Sequence, residues 1–312
     1  MVRGLEVVRM DNVLITGGAG FIGSHLSERL AGRNDVVVLD NFQAGSRKNL
    51  QHIMEGVKIV QGDIRDCATV DEIAAESNII FHLAANASVP SSVQDPRYDF
   101  ETNALGTLNV LEAARKFDVQ TVVYASSAAV YGEPEYLPID EKHRTNPVSP
   151  YGVSKLAGEY MGTVYKKVYG LNFSAVRIFN TFGPRQPRYV MYDLLEKLKH
   201  DSSKLEVLGT GEQLRDYCYV TDMVDALIRV ARKGNGVYNA AGGVPTSVRE
   251  VAELIVSKIS PDTRIIYTGT SWKGDIQTLT ADVEKIRMLG FEPKVSLDEG
   301  IQKLITWFES QG

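Results

Sequence analysis

Short β-branched runs alternate with longer stretches of helical spacing through the first half of the chain. The runs Val13–Thr16, Val36–Leu39, Val57–Val60, Ile79–Leu83, Thr121–Ser126 and Phe173–Phe179 have the length and composition of strands. Between most of them apolar residues recur one helical turn apart, as Leu105, Leu108, Val110 and Leu111 do. Alternating strand and helix implies right-handed crossovers and a parallel sheet covered on both faces. The near-continuous apolar character of the runs fits strands with helices on either side. The expected fold class is α/β, a doubly wound parallel sheet followed by a smaller mixed α/β C-terminal lobe.

The alternation loosens after Asn180. Pro184 and Pro187 break the chain, a helix is expected near Met191–Lys199, and a strand at Leu205–Leu208. Helices follow over 221–233, 247–259 and 297–309, and the pairs Ser247/Glu250 and Ser296/Glu299 have capping-box spacing. The expected division is 1–180 for the sheet domain, with a later segment near 214–240 packing back onto it, and 181–312 for a substrate-binding lobe.

Composition narrows the partners. At 312 residues, 44% hydrophobic and 23% charged, the chain is globular and larger than one small core. A formal charge of -5 argues against nucleic acid, which calls for a basic face. The two cysteines, Cys67 and Cys218, have no CxxC spacing and no neighbouring His. That argues against a disulfide framework or metal site and fits a reducing cytoplasm. No apolar run approaches the roughly 20 residues needed to span a bilayer. Met1–Met10 carries Arg3 and Arg9 without a continuous apolar stretch, so it is not a signal peptide, and residues 1–9 read as an upstream extension.

The first candidate chemistry lies after the first strand, in Val13-Leu-Ile-Thr-Gly17-Gly18-Ala-Gly20-Phe21-Ile22-Gly23. Gly18, Gly20 and Gly23 fit G-x-G-x-x-G, and Gly17, Gly20 and Gly23 fit G-x-x-G-x-x-G. A strand, a glycine turn and a helix start let backbone approach a pyrophosphate and aim free N–H groups at it. Phe21 and Ile22 open that helix and count with the glycines as cofactor-binding positions. Asp40 ends the second strand, where a carboxylate accepts from both ribose hydroxyls and repels a 2′-phosphate, so NAD is expected rather than NADP. A helix cap or solvated strand end is the plainer role for Asp40, and Arg47 and Lys48 lie in the loop that Asn41 begins. Asp63, with Ile64, ends the third strand and either faces the adenine or caps the next helix.

Tyr151 and Lys155 stand at i and i+4 after Pro150, which places phenol and ammonium on one face of a helix. A free phenol ionises near pH ~10, too high for a base at neutral pH. A neighbouring Lys⁺ and the positive nicotinamide of NAD⁺ lower that value. Alone, Tyr-x-x-x-Lys more often marks an aromatic on a helix. Ser126-Ser127-Ala128-Ala129-Val130-Tyr131-Gly132, at the end of the fifth strand, adds a hydroxyl able to share a proton with Tyr151.

With these motifs the chain resembles the extended short-chain dehydrogenase/reductase superfamily, built on the Rossmann sheet. Within it the chain is most similar to the NAD-dependent nucleotide-sugar 4-epimerases of the UDP-glucose/UDP-galactose type. The likeness also includes His82-Leu83-Ala84-Ala85, Asn103-Ala-Leu-Gly-Thr107, Arg177-Ile-Phe179-Asn180-Thr-Phe-Gly-Pro184-Arg185-Gln186, Gly209-x-Gly-x-Gln213-x-Arg215-Asp216-Tyr and Gly274-Asp275. It implies that Tyr151 is the base on the sugar 4-hydroxyl, that Ser127 hydrogen-bonds the same oxygen, and that Lys155 holds the nicotinamide ribose. It implies cofactor contacts from Leu83, Ala84, Ala85, Asn103 and Phe179. Asn180 is implied at the diphosphate, Val207 near the uracil and Arg215 on a phosphate, for which a guanidinium fork is suited. Many relatives carry a second arginine just before Gly274-Asp275, where this chain reads Trp272-Lys273, so Lys273 or Arg185 is the candidate substitute. Leu279 aligns where the family often places an aromatic near the sugar C2 group. Pairing through helices near 101–117 and 151–168 implies a homodimer.

The reaction so implied is reversible oxidation at the sugar C4. Tyr151 takes the hydroxyl proton, a 4-keto sugar forms, and the hydride returns on its other face, with the cofactor recycled in place. A 4,6-dehydratase and a sugar-nucleotide decarboxylase share the first step. A non-catalytic NAD sensor would keep the fold without the chemistry. Dehydratases of the family carry Asp and Glu directly after the hydroxyl residue, and decarboxylases usually a Glu at the second position. Here those positions are Ala128 and Ala129.

Overall fold

The computed structural model describes residues 12–270 and 276–311. The upstream extension read from the sequence, and Trp272, Lys273, Gly274 and Asp275, lie outside the described residues.

β1 (Asn12–Thr16) turns through its glycines into α1 (Phe21–Leu30), and β2 (Asp35–Asp40) follows. A 3-10 segment, Arg47–Gly56, leads to β3 (Val57–Gln61), then α2 (Cys67–Ala74) and β4 (Ile79–His82). The cap of α2 is Asp66, whose side chain accepts from Ala68 N at 3.1 Å. Two short helices, α3 (Val89–Gln94) and α4 (Pro96–Phe100), each open on a proline in the first turn, where a missing N–H is harmless. A π-helical turn, Glu101–Leu105, joins α4 to α5 (Gly106–Lys116), ahead of β5 (Thr121–Ser127). Period-3.6 reading extends one helix across this join and cannot show the widened turn, which carries Asn103.

α6 (Pro150–Tyr169) starts at Ser149, whose side chain accepts from Gly152 N, and stops at the left-handed Gly170. Gly158 lets it lie close to the sheet. A Cβ there would stand 2.5 Å from the Tyr124 hydroxyl oxygen, so a side chain would lift the helix off β5. Next come β6 (Phe173–Ile178), β7 (Asn180–Phe182), α7 (Val190–His200), β8 (Lys204–Val207) and β9 (Leu214–Tyr219). α8 (Val220–Lys233) buries Met223, Val224, Leu227 and Val230, a stripe at the spacing of one helical face. β10 (Gly236–Ala240), β11 (Pro245–Ser247), α9 (Val248–Ile259), β12 (Arg264–Tyr267), β13 (Thr278–Leu279), α10 (Glu284–Arg287) and α11 (Leu297–Glu309) complete the chain. Ser247 and Glu250 make the full reciprocal capping box. Ser296 accepts from Glu299 N and caps α11.

A seven-stranded sheet runs in the order β10-β6-β5-β4-β1-β2-β3. The β1–β2, β2–β3, β1–β4 and β4–β5 pairings are all parallel. This is the doubly wound sheet the alternation implied, with its order reversing between β1 and β4. β10 forms one edge. A separate sheet holds β7, β9, β11 and β13, and β8 pairs with β12.

The chain divides into two compact units. The first comprises the described residues up to Ser126, with Ser149–Ala175 and Gly234–Gly236. The second comprises Ser127–Val148, Val176–Lys233 and the described residues from Val237. The division is interleaved where the sequence reading drew one boundary at residue 180. The chain passes between units beside the carboxyl end of β5 and inside β6, so 127–148 and 176–180 group with the second unit.

Candidate active site

The carboxyl ends of β1 and β4 meet where the strand order reverses, the place at which open α/β sheets bind ligands. Leu83 N donates to Thr16 O at 3.0 Å and Ala84 N to Thr16 Oγ1 at 3.2 Å. The Leu83-Ala84-Ala85 turn therefore lies against the strand end that starts the glycine turn. Gly17 N donates to Leu39 O at 2.7 Å and Gly20 N to Gly17 O at 3.1 Å, which closes that turn. A Cβ on Gly23 would stand 2.1 Å from Gly17 O, so only glycine lets α1 approach this closely. Gly20 caps α1 with no side-chain acceptor, so the first N–H groups of the helix are offered to an external anion. Phe21 and Ile22, half-buried, sit in that first turn.

Asp40 is buried, and its carboxylate holds the glycine turn itself. Oδ2 accepts from Ala19 N at 2.9 Å and Oδ1 from Phe42 N at 2.8 Å. Burial raises its pKa, and the two backbone donors pull the other way. A carboxylate has about four acceptor sites, so two remain for a ribose. Asn41 Nδ2 donates to Asp63 Oδ2 at 2.9 Å, which ties the β2 loop to the end of β3. The Arg65 side chain hydrogen-bonds both Asp63 oxygens, Nε at 3.0 Å and Nη2 at 2.9 Å. Asp63 is held down at about 2 by Arg65 first, against burial, with Asn41 adding to the effect. Asp63 thus neither caps α2, which Asp66 does, nor stands as a lone acid. Ile64 is buried beneath Gly106. Arg47 packs over the Phe42 ring at 4.5 Å and donates to Gln61.

Tyr151 lies in the first turn of α6, half-buried. Lys155, one turn on, is 3% exposed. Its Nζ donates to Ala125 O of β5 at 2.8 Å and stands 4.8 Å from the Tyr124 ring centroid. Burial lowers the lysine to about 8, and the negative charges of Asp99 and Glu159 oppose that fall. Ser127 is the last residue of β5, two positions beyond the carbonyl that receives Lys155. Its Oγ accepts from Ala129 N at 3.2 Å and so caps the short turn Ala128–Val130.

Around this lysine lies a buried polar network: His82, Asn103 and Thr107 belong to motifs read from the sequence, whereas Asn86, Asp99 and Ser154 are not singled out there. His82 Nδ1 faces Thr16 Oγ1 at 2.7 Å and its Nε2 faces Thr107 Oγ1 at 2.9 Å. Thr107 gives its own proton to Asn103 O, so we assign Nε2 as the donor and Nδ1 as the acceptor from Thr16. Burial, then the Lys155 charge, pushes His82 down to about 3, so it is neutral and not an acid–base group near pH 7. Asn103 spends its amide within the protein. Its Oδ1 accepts from Asn86 N at 2.7 Å, and its Nδ2 reaches Asp99 Oδ1 at 3.0 Å and Ser154 Oγ at 3.2 Å. Asn103 thus braces the Ala84-Ala85 turn through Asn86. Thr16 and His82 are 66 positions apart and Ser154 is 51 from Asn103 and 55 from Asp99, so local spacing does not signal that these pairs meet.

In the second unit, Asn180 begins β7, and its Oδ1 is buried with no hydrogen-bond partner among the described residues. Arg185 has a left-handed φ of 69°. Arg215 lies on β9, its Nη1 donating to Leu214 O at 2.9 Å, and Leu279 of β13 stands beside it in register. Val207 ends β8 and is buried, whereas the next residue, Leu208, is 54% exposed. Phe179 is buried, with its ring 6.3 Å from that of Tyr131.

A glycine turn at the strand reversal and a buried lysine one helical turn from a tyrosine define a dinucleotide-dependent enzyme of the extended short-chain dehydrogenase/reductase class. The chain belongs to the family described as GDP-mannose 4,6 dehydratase, which its residues 14–304 match. It is 38% identical over 305 residues to a "Putative UDP-glucose 4-epimerase" of Methanocaldococcus jannaschii, covering 96% of this chain and 98% of that one. It is 34% identical to "UDP-glucuronic acid decarboxylase 1" of Xenopus tropicalis, covering 96% of this chain and 72% of the relative. Among solved structures, a UDP-N-acetylglucosamine 4-epimerase from Methanobrevibacter ruminantium superposes with a TM-score of 0.92 at 33% identity, covering 96% of this chain and 99% of the other. The UDP-glucose 4-epimerase of Thermus thermophilus, solved as a complex with NAD, gives 0.88 at 35% identity, covering 97% and 100%. The protein is therefore a member of the nucleotide-sugar epimerase, dehydratase and decarboxylase family, with NAD as its cofactor. The open first turn of α1 and the acceptor sites left on Asp40 fit that group.

Proposed function

We propose that the protein is a nucleotide-sugar 4-epimerase that interconverts UDP-glucose and UDP-galactose through a 4-keto sugar. The observation that carries this reading is Lys155, buried and anchored to Ala125 O one helical turn beyond Tyr151. An ammonium held there supports a phenolate at Tyr151, which takes the proton of the sugar 4-hydroxyl and later returns it. Lys155 has two further N–H donors, which suit the hydroxyls of the nicotinamide ribose. Ser127 hydrogen-bonds the reacting oxygen and steadies it as its charge changes. Bound NAD supplies hydride acceptance and return at C4. Gly17, Gly20 and Gly23 with the α1 start hold its diphosphate, and Asp40 its adenosine ribose. Asn180, Arg215 and Arg185 hold the diphosphate of the sugar nucleotide.

Ala128 and Ala129 favour epimerisation over the two relatives' reactions. Expelling water across C5 and C6 needs an additional acid and base, and methyl groups transfer no proton. The test is NMR of products from UDP-glucose and from UDP-galactose. Both should reach one mixture of C4 epimers, with no 4-keto-6-deoxy sugar. A keto-deoxy sugar formed at a comparable rate would overturn the reading, as would turnover of UDP-glucuronate with loss of carbon dioxide. Binding of NAD with no turnover of any nucleotide sugar would favour a sensor instead.

Leu279 is smaller than the aromatic the family often places near the sugar C2 group, so N-acetylated sugars should be accepted. Leu279→Tyr is expected to shift the ratio of kcat/KM towards plain sugars. An unchanged ratio would remove Leu279 from sugar selection.

We also assign the protein to the cytoplasm as a homodimer. Cys67 and Cys218 are unpaired thiols, as a reducing compartment allows. Val153, Tyr160, Val164 and Val168 form one exposed apolar stripe along α6, a face suited to a second copy.

A further inference from the structure

Asp99 is a fully buried carboxylate that the proposed reaction does not use. It sits at the end of α4, beside the π-helical turn, a widening often found at functional sites. Three side chains donate to it: Asn86 Nδ2 to Oδ1 at 3.2 Å, Asn103 Nδ2 to Oδ1 at 3.0 Å, and Ser154 Oγ to Oδ2 at 2.7 Å. Each donor belongs to a different part of the candidate site. Asn86 follows the Ala84-Ala85 turn against the cofactor groove. Asn103 braces that turn. Ser154 lies between Tyr151 and Lys155 on α6. A buried acid without an ion-pair partner in bonding reach among the described residues is costly, and a fold keeps one only where its bonds or its charge are needed.

We infer that Asp99 is a positioning residue, whose buried carboxylate clamps α6 to the cofactor turn through Ser154 and Asn86 and whose negative charge keeps Lys155 protonated. The inference rests on the reading of Lys155 given above. The groups facing Lys155 are few enough to weigh. Tyr124 of β5 presents its ring, His82 of β4 is neutral, and Tyr151 is the phenol to be activated. Among the described residues, only Asp99 from α4 and Glu159 from α6 bring negative charge to offset the burial of the ammonium. Glu159 accepts from Ser126 Oγ, so its place is fixed from β5. Asp99 is the carboxylate that reaches both the helix and the cofactor turn. Burial raises Asp99 above the ordinary carboxylate range, and the Ser154 donor, then the Lys155 charge, oppose that rise, so each charge offsets part of the other's burial.

The test uses the protein with NAD bound, its lysines labelled with ¹³C at Cε, and Lys155 assigned from the peak missing in Lys155→Met. Asp99→Asn keeps the shape and removes the charge. It should lower the Lys155 titration midpoint by about one pH unit or more. The alkaline limb of the pH–rate profile should move to lower pH with it, because the lysine deprotonates earlier. A simple packing role would lower stability and leave both midpoints in place. An unchanged Lys155 midpoint in folded Asp99→Asn overturns the inference. Where that variant does not fold, the carboxyl ¹³C shift of Asp99 in the unmodified protein decides. An ionised group at pH 7 is required, and a protonated one overturns the inference. A shifted midpoint in a protein that turns over no nucleotide sugar would sink the proposed reaction and leave the role of Asp99 standing.

Discussion

Tyr151→Phe is expected to lower kcat by about 10²–10⁴-fold, the usual contribution of a general acid–base group, with NAD content and substrate binding retained. The substitution removes one hydroxyl and leaves the helix intact. Ser149 still caps α6, Pro150 still opens it, and Lys155 still donates to Ala125 O. What is lost is the group that moves the proton, so KM should change little while kcat collapses. Ser127→Ala should be milder, because water can partly replace a hydrogen bond at a strand end. Steady-state kinetics with either C4 epimer, beside calorimetric binding of the nucleotide sugar, measures both. Near-normal turnover in Tyr151→Phe would end the mechanism.

Asp40→Arg is expected to weaken NAD binding by at least about tenfold, equivalent to ~1.4 kcal/mol, and to lower the melting temperature. Two causes add. The ribose loses its acceptor, and the glycine turn loses the carboxylate that holds Ala19 N and Phe42 N. Hydrogen bonds to a charged group typically contribute about 1.5–3 kcal/mol each. The new side chain is also crowded, because a Cβ on Gly45 would already stand 2.9 Å from either Asp40 oxygen. Asp40→Asn separates the effects, since it keeps an acceptor and removes the charge that repels a 2′-phosphate. NAD should be preferred by the unmodified protein, and Asp40→Asn should narrow the preference. Equal or tighter NADP binding by the unmodified protein would refute the ribose assignment.

The sequence by itself determined the sheet and the helix carrying Tyr151 and Lys155. Strands covered on both faces read as near-continuous apolar runs, so β1, β2 and β4 to β6 stand out, and the edge strand β3 does so despite its exposed Lys58, each within a residue or two of its observed ends. Gly23 is legible for a similarly local reason: strand, turn and helix succeed one another within eleven residues, and only a missing Cβ permits the approach. Tyr151 and Lys155 share a face because helical geometry makes i and i+4 neighbours.

Tertiary structure decided what surrounds them. Asp40 reads in sequence as a strand-end acid, and the fold shows that it also holds the glycine turn, twenty-one residues earlier. Asp63 reads from its position as an adenine contact or a cap, and the fold gives the cap to Asp66 and pairs Asp63 with Arg65 and Asn41. Val207 and Leu208 are two adjacent apolar residues, and only burial in the β8–β12 pair tells the covered one from the exposed one. The Asp99 cluster is the extreme case. Its donors come from segments 13, 4 and 55 residues away, so their meeting depends on a π-helical turn and on crossovers packed against the sheet. Local periodicity records which face of an element is apolar. It holds no record of which distant polar groups must meet when those faces are buried, because that pairing is set by the desolvation cost of leaving any of them alone.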